Sequence, residues 1–125
     1  MDTDDDTPRV GDVMSSPLCT ISPDATVEEA ASEMREHDIS ALLVTSRSRS
    51  IISSTDVLDV VAEGRDPATV TVADVMTEAV ETVTPDLFLE EAAAMMETFG
   101  IKHLPVVDDD YVGMLSTTDL AEHFS

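Results

Sequence analysis

The sequence predicts an α+β fold built from two similar halves, each running strand, helix, strand, strand, helix. The first observation behind this prediction is an internal repeat: at an offset of 62, residues 12–44 match residues 74–106 at 14 of 33 positions. The second is length, because 125 residues divide into halves of about 60 residues, which are marginally stable alone. Repeated supersecondary units also need a neighbour to bury their apolar faces. We therefore expect a two-fold pseudo-symmetric pair that shares a core.

Each half opens with a short strand and an amphipathic helix. In the first half, LCTISPDATV indicates a strand that ends at Pro23. A capping box from Thr26 to Glu29 predicts the start of the helix. Apolar residues then recur with helical spacing in both halves, at Val27, Ala30, Ala31 and Met34 and at Leu89, Ala92, Ala93 and Met96. Phe88 replaces the threonine cap in the second half, and we expect Asp86 to cap that helix instead.

Two strands and a final helix complete each half. ISALLV with SIIS, and IKHLPVV with YVGMLS, are typical of hairpins whose polar turns are SRSR and DDD. A Ser-x-x-Asp junction then precedes each final helix, as ISSTD and as LSTTD. The apolar residues of these two helices are Val57, Leu58 and Val61 in the first, and Leu120 and Phe124 in the second. The predicted boundaries are 1–9 for an acidic disordered N-terminus, 10–62 for the first unit, 63–70 for a linker and 71–125 for the second unit.

The charge of the chain excludes several classes of partner. There are 27 acidic residues and six basic ones, the net charge is −21, and Lys102 is the only lysine. Such a charge repels nucleic acid backbones and anionic membranes, so neither is expected as a partner. At about 1 M salt the Debye length is about 3 Å, so a carboxylate-rich surface is tolerated there. The composition is similar to that of halophilic proteomes, with acidic surfaces and few lysines.

The sequence also gives expectations about the cellular compartment of the protein and about metal binding. No window approaches the roughly 18 apolar residues of a membrane span, and MDTDDDT is no signal peptide, so we expect a cytoplasmic protein. Cys19 is the single cysteine, which excludes an internal disulfide, and we expect it to be a buried structural residue. No His-x-x-x-His or carboxylate–histidine spacing indicates a metal site, so no metal is expected. His37 and His123 are expected to be solvated residues at helix ends.

In this order, the motifs resemble a tandem pair of cystathionine-beta-synthase (CBS) domains, also called a Bateman module. The resemblance covers about residues 10–124, and its carriers are DVM, SPD, TPD, IKHLPVVD and VGMLSTTDL. It implies two pseudo-two-fold-related β-α-β-β-α units that pack through their sheets and leave two clefts. Family members bind AMP, ADP, ATP or S-adenosylmethionine in such clefts and form disc-like dimers. The resemblance therefore implies an adenosine-containing ligand and a homodimer.

The resemblance assigns the two Ser-x-x-Asp junctions to the ribose. Ser116 and Asp119 form the second junction, and Ser53 and Asp56 form the first. An ionised aspartate accepts two hydrogen bonds and suits the paired hydroxyls of a ribose. It also lies in the first turn of a helix, where anionic ligand groups are stabilised. The same pattern is an ordinary helix cap, and for either junction alone the two interpretations are about equally supported.

Other positions are assigned to the base and the phosphate by the same resemblance. Ser22 and Thr84, just before the helix prolines, match positions that touch adenine or ribose. Lys102 and His103 match positions where cationic side chains hold phosphate, and Ser40 occupies the place of Lys102 in the first half. Lysine offers a point charge, and histidine donates from one or both ring nitrogens. The alternative is that Lys102 and His103 are surface residues of an edge strand.

The two halves differ at these positions. The second half has Gly113 where the first has Ser50, and glycine permits close approach of another backbone. The first half has Ser40-Ala41 where the second has Lys102-His103. We therefore expect the cleft that holds the cations to be the better nucleotide site.

Two functions follow as hypotheses. The preferred one is a regulatory module that senses an adenosine nucleotide or S-adenosylmethionine. Because the chain shows no effector domain, it is expected to act in trans on an unknown regulated protein or by self-association. The alternative is a structural or protein-interaction module with no small ligand. An enzyme is not expected, since no nucleophile–base pair, glycine-rich phosphate loop or metal triad is evident, and no catalytic cofactor is implied.

Overall fold

The chain divides into two compact units that do not coincide with the two sequence repeats. The structure is a computed structural model that describes residues 7–15 and 19–124. A continuous unit comprises residues 19–80, and a discontinuous unit comprises residues 1–18 together with 81–125. The segment that opens each repeat, residues 8–15 in the first and 70–77 in the second, therefore lies in the unit built mainly from the other repeat.

The elements largely follow the predicted order. The helices are α1 (Val10–Val13), α2 (Val27–His37), α3 (Ser54–Ala62), α4 (Val72–Val75), α5 (Leu89–Phe99) and α6 (Thr117–Phe124). The strands are β1 (Thr20–Ile21), β2 (Ala41–Val44), β3 (Ser50–Ser53), β4 (His103–Asp108) and β5 (Asp110–Ser116). The order strand, helix, strand, strand, helix is confirmed in the continuous unit. In the discontinuous unit the first predicted strand is reduced to one parallel bridge between Val83 and Val106, and the short helices α1 and α4 were not predicted.

The continuous unit has a three-stranded sheet in the order β1-β2-β3. β1 runs parallel to β2, with Ile21 beside Val44, and β2 runs antiparallel to β3, with Ala41 opposite Ser53. The predicted apolar stripe of α2 packs on this sheet. Its buried core consists of Ile21, Val27, Ala30, Met34, Leu42, Val44, Ile52, Val60, Val70 and Val72. Cys19 is half-buried and packs against this core, so it is less buried than expected.

The discontinuous unit has a two-stranded antiparallel sheet, β4-β5. Its buried core consists of Val10, Val83, Leu89, Ala92, Met96, Leu104, Val106 and Leu115. The register shifts between Val106 and Val107. Such a bulge absorbs an extra residue, and the second repeat has one extra residue in this hairpin. His103 consequently lies opposite Ser116, as Ala41 lies opposite Ser53 in the other hairpin.

The opening segment of each repeat is tied to the first long helix of the other repeat. In the discontinuous unit the N–H of Leu89, the first residue of α5, donates to the carbonyl of Pro8 at 3.0 Å, and the N–H of Val10 donates to Leu87 at 2.9 Å. In the continuous unit Val27 donates to Val70 at 2.9 Å, and Val72 donates to Ala25 at 2.8 Å. The first N–H groups of a helix lack partners within the helix. The exchanged segments supply the partner of the first helical N–H in both units.

The aspartate of each DVM motif caps one of these segments. The N–H of Arg9 donates to Asp12 Oδ2 at 2.9 Å, and the N–H of Thr71 donates to Asp74 Oδ2 at 3.1 Å. The hydrogen bonds from the backbone and side chain of Thr71 lower the pKa of Asp74. The repeated DVM motif is therefore explained by local structure.

One of the two predicted helix caps is confirmed, and the prediction of the other is wrong. Thr26 Oγ1 accepts the N–H of Glu29 at 3.1 Å, as predicted. Phe88 is the N-cap of α5 and makes no side-chain cap bond, so Asp86 does not cap that helix. The Asp86 carboxylate instead accepts a hydrogen bond from the Thr84 side chain, which is the main cause of its lowered pKa.

The N-terminal segment is held in place at least from Pro8. Most of the predicted disordered stretch, residues 1–6, lies outside the described residues. The guanidinium of Arg9 lies 4.4 Å from the centre of the Phe88 ring and donates to the carbonyl of Asp86 at 2.6 Å. Pro8 and Arg9 therefore belong to the packed part of the discontinuous unit, earlier in the chain than the boundary at residue 9.

Fewer apolar side chains of the two final helices are buried than their sequences suggested. In α3, Val60 is buried, whereas Leu58 is 67% exposed and Val61 is 57% exposed. In α6, Leu120 packs on the core and Phe124 is 60% exposed. Among the described residues, no helix has the length and apolar character needed to cross a membrane.

The left-handed C-caps of α2 and α5 give a matched pair of predictions. Asp38 has φ 54° and Gly100 has φ 65°, and a Cβ on Gly100 would meet no atom within 4 Å. Because a β-carbon is disfavoured at positive φ, Gly100→Ala should lower the free energy of unfolding by about 1 kcal/mol, and Asp38→Gly should raise it by several tenths. Urea unfolding checks both. Equal effects of the same sign would contradict this account of the caps.

The lowered pKa of Asp74 predicts a pH dependence of stability. Since the folded-state pKa lies below the unfolded one, the ionised carboxylate stabilises the fold above about pH 4. That contribution should be lost as the pH falls through the folded-state pKa. Wild type should therefore be more stable than Asp74→Asn at pH 6, and the difference should shrink below about pH 4. Urea unfolding at constant high salt measures the difference in the free energy of unfolding at each pH, and Glu78→Gln serves as the control. A difference that does not change with pH would refute the role assigned to the Asp74 carboxylate.

Candidate functional site

The first junction is a complete helix cap at the start of α3. Asp56 Oδ2 accepts the N–H of Ser53 at 2.8 Å and its hydroxyl at 3.1 Å. The N–H of Asp56 is 3.4 Å from Ser53 Oγ, a weak return bond. The N–H of Ser54 donates to the carbonyl of Ser40 at 2.9 Å. The structure therefore brings Ser40, Ser53 and Asp56 together, and the Ser53–Asp56 pair caps α3.

The second junction has the same cap at the start of α6. Asp119 Oδ2 accepts the N–H of Ser116 at 2.9 Å, and the N–H of Asp119 donates to Ser116 Oγ at 3.1 Å. Lys102 and His103 lie beside it: His103 is paired with Ser116 across the sheet, and the Lys102 carbonyl accepts the N–H of Thr117 at 3.0 Å. Four of the predicted site residues thus lie at one end of the β4-β5 hairpin.

Ser15 joins this second junction, and the sequence analysis missed it. Its hydroxyl donates to Asp119 Oδ1 at 3.0 Å, across 104 residues of sequence. A bridge between Ser15 and Met114 holds it there, with N···O distances of 2.8 and 3.2 Å. A signal did exist, because Ser15 directly follows the DVM motif and aligns with Thr77. Thr77 makes the matching bridge to Ile51.

The two junctions differ in charge and in exposure. Lys102 is exposed and His103 is half-buried, so a cationic residue lies beside the second junction in the β4-β5 hairpin. In the first junction the matching residues are Ser40, which is exposed, and Ala41, which is 7% exposed. The carboxylate of Asp56 therefore has no cationic side chain at those two places.

Ser22 and Thr84 lie away from the junctions of their own units. Val83 is beside Val106, three residues beyond His103, so Thr84 is about 10 Å or more along the sheet from the second junction. Ile21 is beside Val44, which separates Ser22 from the first junction in the same way. Within each unit the structure therefore does not bring these residues to the junction, as a shared site inside one unit would require.

Ser22 and Thr84 instead line two equivalent hollows. The hollow of the continuous unit has a volume of about 450 Å³ and is lined by Thr20, Ile21, Ser22, Ala25, Glu28, Glu29, Ser32 and Glu33. The hollow of the discontinuous unit has a volume of about 600 Å³ and is lined by Thr82, Val83, Thr84, Leu87, Met95, Val107, Asp108 and Asp109. Both combine hydroxyls, apolar side chains and carboxylates, and neither lining includes a cationic side chain.

Gly113 permits the close approach that was expected of it. A Cβ at this position would lie 2.6 Å from Met14 Sδ and 3.1 Å from the carbonyl oxygen of Ser15. The glycine therefore lets the segment that carries Ser15 lie against β5. Ser50, the equivalent residue, is fully buried, and its hydroxyl lies 3.1 Å from that of Ser46 and 2.9 Å from that of Ser48.

Comparison with known proteins gives a consistent result. The family model described as "CBS domain" matches residues 10–63 and 72–125. The chain is 34% identical over 116 residues to the CBS domain-containing protein YhcV of Bacillus subtilis, covering 90% of this chain and 82% of YhcV. Several other relatives are much longer, and the chain spans 23% to 31% of some of them.

Two solved structures of similar fold contain adenosine compounds. The CBS domain pair of protein MJ0100, in complex with 5'-methylthioadenosine and S-adenosyl-L-methionine, superposes with a TM-score of 0.86 at 28% identity, covering 94% of this chain and 96% of that one. A CBS domain protein from Pyrobaculum aerophilum, complexed with AMP, gives a TM-score of 0.82 at 25% identity, covering 90% and 89%. With two family matches that span most of its length, this chain belongs to the CBS domain family and carries a tandem pair of CBS domains.

Proposed function

We propose that this CBS pair is a regulatory module that binds an adenosine nucleotide through its second junction. The observation that carries the proposal is the grouping of Asp119, Ser116 and Ser15 with Lys102 and His103 at one end of the β4-β5 hairpin. The complexes of related CBS pairs with AMP and with S-adenosylmethionine support the choice of an adenosine compound. The module senses its ligand without catalysing a reaction, and it acts in the cytoplasm, where such nucleotides are abundant.

The chemistry of Asp119 fits a ribose even though the carboxylate already caps α6. A carboxylate offers about four acceptor positions, and Asp119 uses one oxygen for the Ser116 N–H and the other for the Ser15 hydroxyl. Acceptor capacity therefore remains for a ribose hydroxyl, and the Ser15 hydroxyl rotates to donate to or accept from the same ligand. The cap holds the carboxylate in place before the ligand arrives, which reduces the ordering cost of binding.

Lys102 favours a ligand that carries phosphate. It is exposed and lies next to the junction, and the chain's net charge of −21 otherwise repels anions at low salt. A single ammonium beside the ribose site gives AMP, ADP or ATP a partner that uncharged adenosine compounds cannot use. We therefore place AMP-type nucleotides ahead of S-adenosylmethionine, whose sulfonium is itself cationic.

The ligand proposal predicts a salt-tolerant thermal shift. In 2 M KCl, AMP at a hundredfold excess over its dissociation constant should stabilise the protein by about 2.7 kcal/mol. Asp119→Asn keeps an oxygen for the Ser116 N–H but loses the charge, so it should abolish most of the shift while preserving the fold. Asp56→Asn, the same change at the first junction, should leave the shift intact. Differential scanning calorimetry measures both effects.

A second comparison tests the part assigned to the phosphate. Lys102→Gln should weaken the binding of AMP more than the binding of 5'-methylthioadenosine, because 5'-methylthioadenosine has no phosphate for the Lys102 ammonium to contact. Equal weakening would count against the assigned role of Lys102. If no adenosine compound shifts the melting temperature at any salt concentration, the chain is better described as a structural or protein-interaction module.

We further propose that the module forms a homodimer through its final helices. Leu58 and Val61 are 67% and 57% exposed on α3, three residues apart and so on one face. Exposed apolar residues on one helix face are typical of a contact with another protein. A second copy is the proposed occupant, and an unidentified regulated protein would then bind the dimer.

The dimer proposal predicts sensitivity to substitutions on α3. The double variant Leu58→Ser, Val61→Ser should raise the dimer dissociation constant at least about tenfold, since it removes two apolar side chains from the contact. The neighbouring exposed residue offers a control, Asp59→Ser, which should leave the constant unchanged. Sedimentation equilibrium in 2 M KCl measures the dimer dissociation constant of each protein. A wild-type protein that stays monomeric at high micromolar concentration would refute the proposal.

A further inference from the structure

The last turn of α2 carries three potential metal ligands that the sequence analysis overlooked. Glu33 and His37 are four residues apart and lie on one helix face, which is the carboxylate–histidine spacing that was judged absent. Glu33 Oε2 and His37 Nε2 are 3.3 Å apart, and their side chains are 45% and 47% exposed. Glu36 completes the group, and one ligand atom from each of the three lies within 4.8 Å of the others. We propose that Glu33, Glu36 and His37 bind a divalent transition-metal ion such as Zn²⁺.

The spacing of the ligand atoms suits a small ion. Two ligands bonded to Zn²⁺ at about 2.0–2.1 Å with a tetrahedral angle are about 3.3–3.4 Å apart, and the observed Glu33–His37 separation is 3.3 Å. These two atoms therefore need almost no movement to share an ion. Glu36 is exposed, so its side chain is free to change rotamer, and the proposal requires a rotamer that brings its carboxylate to the same ion. Water fills the remaining coordination positions.

Charge also favours a cation at this place. Two carboxylates and a neutral imidazole carry a formal charge of −2, which matches a divalent ion. The negative end of the α2 dipole lies at the same turn, and the chain as a whole has a net charge of −21. An ordinary solvated Glu–His pair explains the 3.3 Å contact equally well, but it assigns no role to Glu36.

The second repeat provides an internal comparison. At the positions equivalent to Glu33, Glu36 and His37, helix α5 has Met95, Thr98 and Phe99. All three ligands are therefore absent from one of two helices that otherwise share the same buried stripe, Val27, Ala30 and Met34 in α2 and Leu89, Ala92 and Met96 in α5. The triad is thus not required by the repeated fold.

Zn²⁺ titration followed through the imidazole ¹H–¹⁵N resonances tests the site directly. The chain has only three histidines, so each ring is resolved. The full chain is titrated in 1 M KCl, which screens general attraction to the acidic surface. We expect saturable shifts of the His37 ring nitrogens at one equivalent of Zn²⁺, with His103 and His123 unchanged. Mg²⁺ and Ca²⁺, which prefer oxygen ligands alone, should not reproduce the His37 response.

Variants separate a built site from general cation attraction. Glu33→Gln and Glu36→Gln should each weaken Zn²⁺ binding at least about tenfold, whereas Glu97→Gln, an exposed glutamate in the last turn of α5, should not. Thermal unfolding checks that each variant stays folded, as expected for exposed positions. Equal weakening by all three variants, or equal shifts of all three histidines, would overturn the proposal. The thermal shift with AMP is unaffected by either outcome, because these residues do not belong to the second junction.

Discussion

The exchange of opening segments between the two repeats is the constraint on which the rest of the structure depends. A helix begins with N–H groups that have no partner inside it. In α5 the first of these is satisfied by Pro8, and in α2 by Val70, each from the other repeat's opening segment. The apolar residues of those segments complete the two cores, since Val10 and Val72 are fully buried. Each unit therefore needs residues from both repeats to satisfy its backbone and close its core.

The second junction inherits its geometry from this exchange. Ser15 reaches Asp119 because the bonds of Val10 and Gly11 to Leu87 and Pro85 fix the segment that carries it. Gly113 leaves room for that segment beside β5. Ser15 thereby donates a hydrogen bond to one carboxylate oxygen of Asp119, although the two residues are far apart in sequence. The other oxygen of the same carboxylate caps α6. The cap and the proposed ribose contact are compatible, because one carboxylate serves both at different lone pairs.

Local patterns in the sequence were sufficient for most of the fold. The stripe of α2, the Thr26 cap and both junctions depend on residues at most seven apart, and their spacing alone indicates them. The partners that the sequence did not indicate include one local pair and one nonlocal pair. Thr84 binds Asp86 in place of the expected cap, and Arg9 stacks on Phe88 across most of the chain.

The candidate site was predictable only in part for the same reason. The register of the hairpin, which follows from the repeat, places Lys102 and His103 beside the second junction. The contribution of Ser15 and the separation of Ser22 and Thr84 from the junctions depend on how segments cross the sheets. The exposure of Leu58 and Val61 was also not predictable from the sequence. When a helix has apolar residues on several faces, their spacing does not indicate which face packs against the core.

The division into a continuous and a discontinuous unit also bears on folding during synthesis. Domains fold as units while the chain emerges, and residues 19–80 form a single uninterrupted stretch that is complete once Val80 has left the ribosome. Residues 8–15 emerge before this stretch, yet their hydrogen-bond partners Leu87, Leu89 and Met114 are made after it. The segment that opens the first repeat must therefore wait, with these backbone groups unpaired, until the second repeat has been synthesised.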